Sequence, residues 1–135
     1  MSDWIRFQSS QEPDHDLGSL QLAWLGDAVW ELHQRLKLCK NPARSQDLHR
    51  AVVSQVRADA QAKALDELDP FLTDQERDFV RRGRNKAGRG PKRADPGIYG
   101  RATGFETMVG WLFLQNPARL AQLLDRLEET DTALS

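Results

Sequence analysis

A chain of 135 residues, 39% hydrophobic and 29% charged, is long enough for one core and too short for two, so a single domain over residues 1–135 is expected. Its charge is nearly balanced, 19 Lys and Arg against 20 Asp and Glu, so no overall field selects a partner. No apolar run approaches the roughly 20 residues that cross a bilayer, the opening MSDWIRFQSSQEPDH lacks the basic start and apolar stretch of a secretion signal, and the lone Cys39 rules out an internal disulfide or a multi-cysteine zinc site. The expectation is a cytoplasmic protein without a membrane partner.

Along the chain the apolar spacing gives five helices and no convincing strand, an all-α fold. The first runs from about Leu17 to Leu38, with Asp16 or Ser19 as its cap and Asn41-Pro42 as its stop. The second starts after Ser45 and continues through DLHRAVVSQVRADAQAKALDEL, rich in good helix formers, until Pro70. Thr73-Asp74-Gln75-Glu76 has the capping-box form and starts a shorter helix that reaches Arg82. Between Gly83 and Gly97 the repeated glycines and prolines predict a long loop, and such a loop in a compact domain is usually functional. The fourth helix is the apolar ATGFETMVGWLFL, Ala102 to Leu114, and the fifth follows Asn116-Pro117 through LAQLLDRLEE, with the last six residues read as frayed.

At 100° per residue the first helix places Leu22, Leu25, Val29, Leu32 and Leu36 on one core-facing stripe. Asp27 falls on the opposite side, yet it is ringed by Leu20, Ala23, Trp24 and Trp30, so this helix is expected to be covered on both faces. Burying a carboxylate costs several kcal/mol unless something compensates, and Asp27 therefore needs a partner. In the fourth helix Phe105, Met108, Val109 and Leu112 make the core seam, and Glu106 sits at its edge. If the two helices cross where Gly26, Gly104 and Gly110 allow close approach, Asp27 and Glu106 can share one Mg²⁺, a hard ion that takes carboxylate oxygens and keeps several waters. Such an ion activates water and neutralises charge at a phosphodiester. Taken singly, a half-buried carboxylate is more ordinarily a salt-bridge or cap partner.

From Arg77 to Arg101 nine basic residues stand against two acidic ones, leaving the rest of the chain acidic. That concentration points to a polyanion site. Arg81, Arg82, Arg84, Asn85, Lys86, Arg89, Lys92 and Arg93 are the candidate nucleic-acid contacts, carried on a Gly- and Pro-rich backbone that can follow a phosphate chain. A solvated loop is the plainer reading. Aromatics are nearly absent from the loop itself, Tyr99 being the one beside it, so duplex recognition through backbone and shape suits the segment better than base stacking. His49, Arg50 and Arg57 extend the basic face or are simply solvated; Trp24, Trp30 and Trp111 are core residues or anchors of a subunit interface. His15 and His33 show no partner spacing, and no serine or cysteine has a histidine arrangement for covalent catalysis.

LAWLGDAVWE, RRGRN and ATGFETMVGWLFL, in this order, resemble the catalytic domain of ribonuclease III, and more closely its Mini-ribonuclease III branch, over roughly Leu17 to Leu124. The resemblance implies an all-helical homodimer, joined through the signature helix, that cuts double-stranded RNA with Mg²⁺. It also implies a role in trimming the precursor of large-subunit ribosomal RNA. Under it Asp27 and Glu106 are catalytic metal ligands, and Trp24 is the aromatic residue that packs into the partner subunit. Leu20 and Ala23 stand where the larger enzymes have glutamates and Thr103 where they have an aspartate, a thinning that marks the Mini branch and leaves fewer ligands. No double-stranded-RNA-binding domain is expected, so the loop from Gly83 to Arg93 takes more of the substrate grip. The alternative is a non-catalytic RNA-binding module of the same fold; a nucleotide pyrophosphohydrolase is disfavoured because DELD sits at a helix end beside Pro70.

Overall fold

The computed structural model describes residues 2–10, 17–40 and 45–134, and every regular element among them is helical. In chain order these are α1 (Asp3–Arg6), α2 (Ser19–Cys39), α3 (Ser45–Val56), α4 (Ala58–Leu68), α5 (Asp74–Lys86), α6 (Pro96–Gln115) and α7 (Pro117–Leu134), with a 3₁₀ turn at Asp69–Phe71. The most apolar helix, α6, is the central one and packs against α2, α4, α5 and α7. Its expected seam is the floor of the core: Phe105, Met108, Val109 and Leu112 are all buried, joined by Leu65, Leu68, Leu120, Leu123 and Leu124. Trp30 meets Phe105 edge to face at 5.1 Å between ring centres, a favoured aromatic geometry.

Where the structure departs from the sequence reading, packing has outweighed local propensity. The expected second helix is two, because Arg57 takes an extended backbone (φ −64°, ψ 156°) and stands as the N-cap of α4. Propensity alone would run on through this Ala-rich stretch. Gly83 does not end α5, which continues to Lys86; a Cβ there would lie 2.1 Å from Thr107 Oγ1, so this glycine marks a close helix contact. α6 begins at Pro96 and not at Ala102, since Asp95 Oδ1 accepts from the Gly97 and Ile98 amides at 2.8 and 3.2 Å and Pro96 occupies the first helical position. The irregular segment thereby shrinks to residues 87–95. α7 extends through Leu134 into the segment read as frayed, and the short α1 was not anticipated. Gly18, not Ser19, precedes α2 as its cap, donating its amide to Gln21 Oε1 at 2.6 Å, while Asp16 and Asn41-Pro42 lie outside the described residues. The Thr73–Glu76 capping box forms in both directions, at 3.1 and 2.9 Å. Its Glu76 is also gripped by a two-pronged Arg119 fork at 2.8 and 2.9 Å, which ties α5 to α7.

The stripe on α2 also turns. Leu22 and Val29 are buried, but Leu32 and Leu36 are 46% and 36% exposed, and Trp30, His33 and Gln34 take the inner positions. The reason is that α1 and α7 cover that flank. Trp4 Nε1 donates to His33 Nδ1 at 3.2 Å, and His33 Nε2 lies 3.2 Å from Glu128 Oε1. An indole nitrogen can only donate, so the His33 proton sits on Nε2, facing Glu128. Burial, and then the positive charges of Lys37 and the N-terminal amine, lower His33 to about 4 against the upward pull of Asp125. Its folded value lies below its ordinary 6.5, so the unfolded chain takes up a proton first. Folding stability should therefore hold above pH 6.5 and decline as pH falls from there towards 4. Thermal unfolding followed across that range should show the decline, and His33→Phe should reduce it.

Candidate active site

Three helices build one open cleft. α2 lines it with Leu20, Ala23, Trp24 and Asp27, α6 with Tyr99, Ala102, Thr103 and Glu106, and the first turn of α4 with Ala58 and Gln61. On α2 and α6 the spacing is i, i+3, i+4, i+7, the signature of one helix face. What brings the two faces together is the absence of side chains at the crossing: a Cβ on Gly26 would lie 1.9 Å from the Glu106 carbonyl oxygen, and one on Gly110 would lie 2.0 Å from the Leu22 carbonyl oxygen. With the backbones in contact, the next residue on α2, Asp27, reaches Glu106.

The two carboxyls interact directly. Burial above all, then the Asp27 charge and the hydrogen bond between the two groups, push Glu106 up to about 8. In the metal-free protein near neutral pH, Glu106 therefore holds a proton and donates it towards the Asp27 carboxylate. Gln61 Nε2 donates to Asp27 Oδ1 at 3.4 Å. Among the described residues no lysine or arginine lines the cleft, which removes the plain salt-bridge reading for them. One expectation is corrected here: Asp27 is exposed rather than covered, because Leu20 and Trp24 beside it stand 52% and 83% open in the single chain. Thr103, 6% exposed, donates its hydroxyl proton to the Tyr99 carbonyl at 2.9 Å, within its own helix.

Among the described residues no group of three or more His, Cys, Asp or Glu side chains is gathered. Two adjacent carboxyl groups in a water-open cleft nonetheless fit a small hard dication, which binds through one or two carboxylates and keeps the rest of its water shell. They do not fit zinc, which wants nitrogen or sulfur ligands in a closed set.

The basic segment reaches the same cleft. Gly90, at φ +78° where only glycine is comfortable, lies against the Tyr99 ring, and a Cβ there would be 2.4 Å from Tyr99 Cδ1. Tyr99 precedes Glu106 by two helical turns, roughly 10 Å along α6. Arg81, Arg82, Arg84, Asn85, Lys86, Arg89, Lys92 and Arg93 are all exposed. Arg81 and Arg82 are both paired with Asp78, Arg82 at 2.7 Å and over the Phe79 ring as well, and both side chains stay more than half exposed. His49 and Arg50 are exposed, and Arg57 pairs with Asp59 at 3.2 Å. Trp30 is a core residue, Trp111 stacks on Phe79 at 4.1 Å, and Trp24 alone of the three stands free at the surface.

The Ribonuclease III domain family matches residues 20–117, the span that holds α2 to α6 and both carboxylates. The Mini-ribonuclease 3 of a Synechocystis species is 46% identical over 132 residues, covering 94% of this chain and 92% of its own. That of Gloeobacter violaceus is 50% identical over 108 residues, 80% of each chain. In fold the chain is similar to a Fusobacterium nucleatum protein of known crystal structure, with a TM-score of 0.75 at 23% identity over 86% of this chain and 96% of that one. The chain belongs to the ribonuclease III family, in its Mini-ribonuclease 3 branch. It is an endoribonuclease, a hydrolase acting on RNA.

Proposed function

We propose that this endoribonuclease cuts double-stranded RNA as a Mg²⁺-dependent homodimer in the cytoplasm, with the precursor of large-subunit ribosomal RNA as its substrate. The observation that carries the reading is the meeting of Asp27 and Glu106 in one open cleft beside a basic loop. Asp27 and Glu106 would hold the ion, whose chemistry when bound is to lower the pKa of a coordinated water and to neutralise charge at the phosphodiester. The chain's own part is to place both carboxyl groups on rigid, glycine-tight helices, to leave the cleft open to solvent and strand, and to bring the basic loop against Tyr99 at one end of the cleft. A labelled RNA duplex carrying the ribosomal precursor stem, incubated with Mg²⁺ and then with EDTA, tests this. Metal-dependent cutting within the duplex is expected; binding without cutting, or cutting that ignores EDTA, would refute it.

Cations that grip phosphates release counterions, and their number sets the salt dependence of binding. Replacing Arg84, Arg89, Lys92 and Arg93 together by alanine should weaken duplex binding and lower the slope of log affinity against log salt by about 3 to 4. A filter-binding series over salt measures it, and an unchanged slope would remove the loop from the interface.

Leu20 and Trp24, both exposed, leave an apolar strip on the α2 face beside the cleft. A second copy of the same helix would cover this strip by two-fold symmetry. Trp24→Glu should shift the protein from dimer to monomer in light scattering, and a wild-type protein that is already monomeric would contradict the assembly.

A further inference from the structure

We propose that Gln61 is a positioning residue for the reaction: its buried amide holds the Asp27 carboxylate in the orientation that meets Glu106 and leaves one oxygen for the divalent cation. This rests on the metal reading above. Gln61 is only 2% exposed, yet it lines the cleft, and its Nε2 donates to Asp27 Oδ1 at 3.4 Å across 34 positions of chain. The contact exists because α3 and α4 are separate helices. The extended backbone at Arg57 starts α4 afresh, so that Ala58 and Gln61, one turn apart, face the cleft while Ala62, Leu65 and Leu68 are buried.

Asp27 itself is exposed, and an exposed aspartate on a helix is free to turn among its rotamers. Of the other polar groups in the cleft, the Thr103 hydroxyl donates to the Tyr99 carbonyl within its own helix, and Glu106 meets Asp27 from the opposite helix. An amide suits the anchoring task better than a lysine or arginine would. It donates a directed hydrogen bond without neutralising the charge that a cation requires, as outer partners of metal ligands commonly do. Glutamine at a position nearly sealed from water is otherwise an unfavourable choice over a leucine or methionine of similar size.

The test is Mn²⁺ binding to the RNA-free protein, read from the free-ion signal in electron paramagnetic resonance, for wild type, Gln61→Met and Glu106→Gln. Methionine keeps the length of the side chain and removes the donor. Expected is an Mn²⁺ Kd raised roughly tenfold in Gln61→Met, with kcat for duplex cleavage falling, KM for RNA unchanged and the thermal midpoint within a few degrees of wild type. An unchanged Kd in Gln61→Met beside a weakened one in Glu106→Gln would overturn the role of Gln61 and leave the metal site standing. Unchanged binding in both variants would overturn the metal site, and this inference with it. Should Gln61→Met not fold, the wild-type protein decides: the Gln61 side-chain NH₂ resonance should move when Mg²⁺ is added, and a static resonance while those of Asp27 and Glu106 shift would overturn the role.

Discussion

Asp27→Asn and Glu106→Gln should each lower single-turnover cleavage of an RNA duplex by on the order of a thousandfold, about 4 kcal/mol of lost transition-state stabilisation. Both are near-isosteric changes that remove one charged oxygen ligand. They should leave the fold intact for different reasons. Asp27 is exposed, so its charge contributes little to folding. Glu106 already prefers its neutral form, held up to about 8 by burial, the Asp27 charge and the hydrogen bond to it, so a neutral amide replaces a neutral acid in the metal-free protein. Circular dichroism should show helix content unchanged in both variants. Cleavage that survives both substitutions at near wild-type rate would remove these two residues from the chemistry.

Gly26→Ala should be among the most damaging small substitutions in the chain. Its new Cβ would lie 1.9 Å from the Glu106 carbonyl oxygen and 2.8 Å from the Gly110 amide nitrogen, all of it backbone, so no side chain can swing aside. The two helices must then move apart along the crossing that carries the core seam of α6 and sets the distance between Asp27 and Glu106. Overpacking that side chains can absorb costs typically 1–3 kcal/mol; backbone against backbone places this change at roughly 4 kcal/mol or more. Chemical denaturation would measure it. A loss below about 1 kcal/mol would mean that the crossing is looser than the glycine contacts require. Activity should fall further than stability alone explains, since the carboxylates separate with the helices.

The sequence disclosed most where the physics is local. The Thr73 capping box, the apolar seam of α6 and the paired carboxylates were legible because each depends on residues a few positions apart or on a helix face. Gly26 and Gly110 could be read as close-approach points for the same reason, an absent side chain in an apolar helix. What escaped depends on distant partners. His33 showed no meaningful spacing because Trp4 lies 29 positions before it and Glu128 far along α7. Gln61 passed as an ordinary polar residue of a long helix, and only the break at Arg57 turns it towards Asp27. Its one available signal was a glutamine among the alanines and leucines of an inward face. The Gly83-to-Gly97 stretch misled in the opposite sense, since Gly83 serves packing against Thr107 and Asp95-Pro96 opens a helix rather than extending a loop.

Crystals soaked in Mn²⁺ and measured at a wavelength where manganese scatters anomalously test the shared ion most directly. One strong anomalous peak per subunit is predicted in the cleft, within roughly 2.0–2.3 Å of a carboxylate oxygen of Asp27 and of Glu106, distances set by small hard dications. A peak bound elsewhere on the chain, or a cleft that stays empty in crystals of protein that cuts duplex RNA with Mn²⁺, would contradict it.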